Sequence, residues 1–153
     1  MNTNRLKEHV RYRIEFADVL LESSNLFSPF ERIVTLDPLL GECLPLFNCQ
    51  DVDGLAEIAP VEICYATLKS PGSHMIWRAD KGQSLLAYRQ PNGGFIPDDT
   101  AHSIRYAKFR YRLSDRTGVD RLTVHAGNVL TYARDGDSSV LEDWLRRRGF
   151  INV

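Results

Sequence analysis

The sequence predicts an α+β protein: a mainly antiparallel sheet of about five to six strands, with an N-terminal helix and a C-terminal helix packed on one face. Three observations lead there. Apolar residues recur every three or four positions near both ends, which is the helical period. Between them, alternating segments are separated by turn signals too short for the crossover that a parallel pair needs. At 153 residues, 43% of them hydrophobic and 25% charged, the chain has the length and composition of a single domain spanning residues 1–153 with its own core.

The first helix is expected from about Asn4 to Glu22. Leu6, Val10, Ile14, Ala17 and Leu21 form its apolar stripe, and Ser23, Ser24, Asn25 and Ser28-Pro29 end it. Residues 30–60 are acidic and punctuated by Pro38, Pro45 and Gly54. They read as loops and short helices, with a brief strand at Ile33, Val34 and Leu36, covering one edge of the core. From Val61 the pattern turns to strands. VEICYATL, HMIWRA and SLLAYRQ are separated by Pro71-Gly72 and Asp80-Lys81-Gly82, and further strands follow at 104–113, 120–125 and 128–134. The last two are joined at Ala126-Gly127. In the C-terminal helix Ser139 is the expected cap with Glu142 reaching back to it, Val140, Leu141, Trp144 and Leu145 are buried, and Gly149 terminates the helix in the left-handed conformation, bringing Phe150 against Leu145. Arg146, Arg147 and Arg148 sit where the helix field favours cations, a structural reason for a basic cluster.

The formal net charge of −1 and a pI near 6.4 remove global basicity as an argument for a polyanionic partner. Charge is nevertheless segregated. Asp37, Glu42, Asp51, Asp53, Glu57 and Glu62 fall in a stretch without Lys or Arg, whereas Arg105 to Arg121 is strongly basic. Either the fold joins these halves, or each meets a partner of opposite sign. The three cysteines, Cys43, Cys49 and Cys64, show no CxxC pair, so a disulfide scaffold is not expected. The charged start MNTNRLKEHVRYR does not read as a signal peptide, and no run of about 18 apolar residues suggests a membrane span. A cytoplasmic location and no membrane partner are expected.

The segment IRYAKFRYRLSDR from Ile104 carries the strongest functional signal. Strand alternation places Tyr106, Lys108, Arg110 and Arg112 on one face and Ala107, Phe109, Tyr111 and Leu113 on the other. The second set makes a core row, and a solvated face accounts for the first without any ligand. The functional reading is a non-catalytic, partner-binding or regulatory protein. Tyr106, Lys108, Arg110, Arg112 and Arg121 would recognise an acidic macromolecular partner, foremost a protein, since guanidinium forks engage carboxylates bidentately. Single-stranded nucleic acid is the competing partner for the same face, with Tyr106 stacking on a base. RNP-like, KH-type GxxG, zinc-finger and helix-turn-helix signatures are absent.

A third reading is a small-molecule-binding protein or enzyme with a pocket between sheet and helices. Trp77, Tyr88, His102 and His125 would be its residues, with Met75, Leu86, Trp144 and Phe150 as further apolar candidates; an ordinary filled core explains the same aromatics. Asp98, Asp99 and His102 could share acid and base work, but turn chemistry accounts for them equally, and neither Ser73-His74 nor any GxSxG supplies a nucleophile. No catalytic residue is assigned. Cys43, Cys49, Cys64 and His74 lack metal-ligand spacing, so no metal is assigned, and without GxGxxG or GxxxxGK[ST] no cofactor is expected. A homo-oligomer is compatible with a free sheet edge or terminal helix, though no heptad repeat predicts one.

Overall fold

The computed structural model describes residues 34–67, 72–91, 93–96 and 102–152. The expected helix at Asn4–Glu22 and the loop carboxylates Asp98 and Asp99 lie outside the described residues. Five strands form one antiparallel sheet: β1 (Leu55–Thr67), β2 (Met75–Arg78), β3 (His102–Leu113), β4 (Asp120–His125) and β5 (Val129–Tyr132). Their spatial order is β2-β1-β3-β4-β5. A helix, α1 (Ser138–Arg147), follows the sheet. The described part is thus broadly α+β, dominated by sheet.

One face of the sheet is apolar. Ile63, Ala107, Phe109, Leu122, Val124 and Leu130 are fully buried there. Trp144 of α1 packs edge-on against Phe109 at 5.4 Å between ring centroids and stacks on Phe150 at 5.2 Å. This joins helix to sheet through the two-residue period of β3 and the helical stripe of α1. Gly149 has φ +78, and the amides of Phe150 and Gly149 donate to the carbonyls of Leu145 (2.8 Å) and Arg146 (3.1 Å). That is the expected left-handed helix end, which turns Phe150 back into the core.

Several expectations are corrected. SLLAYRQ is not a strand; Leu85–Tyr88 is a 3-10 turn with Leu85 buried and Tyr88 exposed. Its apolar residues fit a short strand by propensity, but the tight turn buries Leu85 fully and lays the half-buried Leu86 against the core. β1 begins at Leu55, six residues before the expected start. Pro60 cannot donate to a ladder. The sheet instead absorbs it at a register shift between Pro60 and Glu62. Ser139 does not cap α1: the cap position is Asp137, which makes no side-chain capping bond. Glu142 accepts a hydrogen bond from Tyr132 Oη at 2.9 Å instead of reaching back. Of the brief strand expected at 33–36, Ile33 lies outside the described residues and the rest forms one bridge, Val34 with Ile151.

Candidate functional site

The outer face of the sheet, opposite α1, gathers the charged residues. In β3 the buried side chains Ala107, Phe109, Tyr111 and Leu113 leave Lys108, Arg110 and Arg112 half-exposed on the other side. In β4, Leu122 and Val124 face the core, so Arg121, Thr123 and His125 share the outer face. Register then decides the neighbours: Arg110 lies directly opposite Arg121, Lys108 opposite Thr123 and Tyr106 opposite His125.

On the other side of β3, β1 supplies two carboxylates. Glu57 pairs in register with Arg112, and Glu62 with Lys108. Five positions separate Glu57 from Glu62, an odd number that strict alternation would send to opposite faces. The extra residue at Val61 restores them to the same face. Sequence reasoning therefore missed both as members of this site, and missed Arg78 of β2. Pro60 is the one signal of the irregularity.

Glu62 is 4% exposed yet satisfied. Arg78 donates to it at 2.8 Å, Lys108 approaches at 3.0 Å and Tyr106 Oη donates at 3.2 Å. Burial by itself would raise its pKa, but the bonds from Arg78, Lys108 and Tyr106 outweigh burial and hold the carboxyl below its ordinary value. Lys108 also lies 5.6 Å from the Tyr106 ring centroid, and the His125 ring is 5.7 Å from Tyr106. Burial, then Lys108, pushes the His125 imidazole below its usual pKa, leaving it neutral at neutral pH.

The second cluster is less compensated. Glu57 meets Arg110 at 3.2 Å and Arg112 at 3.9 Å. Arg110 also donates to the Gly82 carbonyl at 3.0 Å, which fixes its guanidinium, while its Nε–H is buried without an acceptor among the described residues. Arg121 is exposed and makes no ion pair among the described residues. The basic row of the sequence is thus two environments: Lys108 and Tyr106 are committed to Glu62, whereas Arg110 and Arg112 share the single carboxylate of Glu57 and Arg121 stands beside them without an ion pair among the described residues.

Of the proposed pocket residues, Trp77, Tyr88 and His125 do not converge. Trp77 lines a cleft of about 150 Å³ with Tyr65, Met75, Ile76 and Gln90. Tyr88 is 53% exposed and outside this lining. His125 lies on the outer face, whereas Trp77 pairs with core-facing Ile63. His102 opens β3, but its side chain lies outside the described residues. Trp144 and Phe150 are fully buried in the packed core. Among the described residues no group of His, Cys, Asp or Glu is arranged to hold a metal ion. Cys43, for example, is buried with its thiol directed at the carbonyls of Gly41 (3.0 Å) and Leu39 (3.3 Å), and burial pushes its pKa up to about 11. No described helix is long and apolar enough to cross a membrane.

A different buried carboxylate, Asp137, stands at the start of α1. Tyr111 Oη donates to it at 2.6 Å, and Arg116 binds it through two nitrogens at 2.8 and 2.7 Å. Its hydrogen bonds are all to groups of the fold, and it serves to pin α1 to β3.

Comparison with protein-family models, curated proteins and solved structures finds no match to this chain.

Proposed function

We propose that this protein is a non-catalytic recognition module that docks an acidic protein surface onto the outer face of its sheet. Arg110, Arg112 and Arg121 are the principal contacts, with Lys108 and Tyr106 at the border. The observation that carries the reading is the direct cross-strand opposition of Arg110 and Arg121 beside a single shared carboxylate, Glu57. Like charges placed opposite each other weaken a strand pair. An anionic partner would convert that repulsion into charge-assisted hydrogen bonds.

Face-wide charge supports the same reading. Arg78, Lys108, Arg110, Arg112 and Arg121 stand against Glu57 and Glu62, an excess of three positive charges on a chain whose formal net charge is −1. Such a local field steers association with acidic partners. Nucleic acid fits less well, because the hydroxyl of Tyr106 is tied to Glu62 and its ring is flanked by His125 and Lys108 rather than offered as a stacking platform. The small-molecule reading is weaker again. The cleft at Trp77, about 150 Å³, is below the roughly 300–1,000 Å³ of ligand pockets, and the larger clefts, of about 530 Å³ beside Glu42 and Arg89 and about 420 Å³ beside Asp51 and Arg148, are lined by none of Trp77, Tyr88 and His125. A reducing, cytoplasmic setting accords with the free thiols Cys43, Cys49 and Cys64.

The test is affinity capture from native lysate at near-physiological salt, wild type beside an Arg110→Ala/Arg112→Ala/Arg121→Ala variant shown to be folded by circular dichroism. A stoichiometric protein that elutes with salt and is lost with the variant is the expected result. Nuclease-sensitive material retained in its place would transfer the face to nucleic acid, and a partner retained equally by both proteins would remove the face from the function.

A further inference from the structure

We infer that Arg110, Arg112 and Arg121 form a subsite for a phosphate monoester, carried by a phosphorylated side chain of the protein partner, and that Glu57 is its built-in competitor. The inference rests on the recognition reading above and specifies its ligand.

Charge and geometry favour this class of anion. Cross-strand neighbours have β-carbons about 5 Å apart, so Arg110 and Arg121 can converge on one ligand. Arg112 lies two residues further along the same face of β3, on the diagonal. Three guanidiniums and the Glu57 carboxylate leave two positive charges. A carboxylate ligand would leave one of them uncompensated, whereas a phosphate monoester, with a charge of about −1.5 to −2 and three acceptor oxygens, matches both the charge and the number of forks. A nucleic-acid diester carries one charge per phosphate and would neutralise only half the excess.

The internal carboxylate makes the site switchable. Glu57 is half-exposed, and its contacts with Arg110 and Arg112 are 3.2 and 3.9 Å, longer than the roughly 2.7–2.9 Å of strong charged pairs. A dianion of better fit can take its place. Meanwhile Arg110 stays anchored through the Gly82 carbonyl at 3.0 Å. Removing Glu57 should therefore strengthen ligand binding, the reverse of what loss of a purely structural ion pair would do.

The experiment is a ¹H–¹⁵N NMR titration of the whole chain with O-phosphoserine, with serine, acetate and a short oligothymidylate as parallel probes at matched ionic strength. Saturable shifts at residues 110, 112 and 121 with phosphoserine, and none with serine or acetate, are expected. Glu57→Gln should tighten phosphoserine binding about two- to fivefold, Arg121→Ala should weaken it about tenfold or more, and Asp143→Asn on α1, which changes net charge equally at a remote position, should leave it unaltered. Equal response to acetate, tighter saturation by oligothymidylate, no saturable shift, or no gain from Glu57→Gln would each overturn the inference. Capture that depends on the arginines but survives phosphatase treatment would sink the phosphate inference and leave the recognition reading standing. Phosphoserine binding beside arginine-independent capture would do the reverse.

Discussion

Asp137 illustrates how one side chain sets the conditions under which the fold persists. It is fully buried, so its charge is tolerated only because Arg116 binds it bidentately and Tyr111 adds a third hydrogen bond. Burial by itself would raise its pKa; Arg116 first and Tyr111 next reverse that and lower it. A carboxyl whose folded pKa lies below its unfolded value contributes stability above the ordinary carboxylate range. That contribution is lost as pH falls through the folded pKa. Asp137→Asn should cost about 3 kcal/mol at neutral pH, because it breaks the buried bidentate pair and leaves Arg116 only its longer contacts with Asp120 at 3.5 Å and Asp115 at 3.9 Å. Urea midpoints measured from pH 7 down to pH 2 should show the wild type losing its advantage over the variant at the acidic end. A constant gap across that range would show that the charge of Asp137 contributes nothing. Glu62, also held below its ordinary pKa, contributes acid sensitivity of the same sign.

At the scale of elements, the end of α1 shows local chemistry and tertiary contact acting together. Gly149 has φ +78, and a β-carbon there would meet Pro38 Cγ at 3.8 Å, an ordinary contact. Space is therefore available and the conformation is the obstacle. Gly149→Ala should destabilise the protein by about 1 kcal/mol, read from the shift in denaturation midpoint at unchanged slope. An unchanged midpoint would mean that the left-handed residue can relax. One residue earlier, Arg148 reaches away from the helix to Asp51 and to the Leu46 carbonyl at 2.9 Å. The Trp144 indole donates to the same carbonyl at 3.0 Å. These bonds fasten the proline-punctuated segment to α1, and the hydrogen bond from Arg148 lowers the Asp51 pKa to about 2. The expected basic cluster thus resolves into pairs: Arg146 with Glu142, Arg147 with Asp143 and Arg148 with Asp51.

For the whole molecule, one apolar face joins every described element. Phe47 from the proline-rich segment, Phe109 from β3 and Trp144 from α1 are mutual ring neighbours at 5.4 to 6.1 Å. Their contacts link sequence positions almost a hundred residues apart, so the proline-rich segment, β3 and α1 are expected to unfold together. Thermal unfolding of a Trp77→Phe background, in which Trp144 is the remaining tryptophan, should give coincident transitions by fluorescence and by far-UV circular dichroism. Two separated transitions would divide the chain into independent units. The charge map also belongs to this scale. Of the acidic run from Asp37 to Glu62, Asp51, Glu57 and Glu62 are bound to arginines or a lysine from distant parts of the chain, so the fold joins the two charged halves, though only in part.

What the sequence determined by itself was everything that repeats along the chain. The two-residue alternation of β3 separated Phe109 and Tyr111 from Arg110 and Arg112, and the glycine after the last helical turn marked the end of α1. The tight turn at Ala126-Gly127-Asn128 could be read in the same way, because Gly127 (φ +97) and Asn128 (φ +69) are the residue types that tolerate that conformation. Tertiary structure decided what depends on register and burial. SLLAYRQ became a turn that buries Leu85 and lays Leu86 against the core while Tyr88 stays exposed. Glu57 and Glu62 came to the same face because an extra residue beside Pro60 broke alternation, and Arg121 came opposite Arg110 because the β3–β4 turn sets that pairing. Periodicity is a local property of the backbone and is written in the order of residues. Which charge is neutralised, and which is left for a partner, depends on strands that meet only in space.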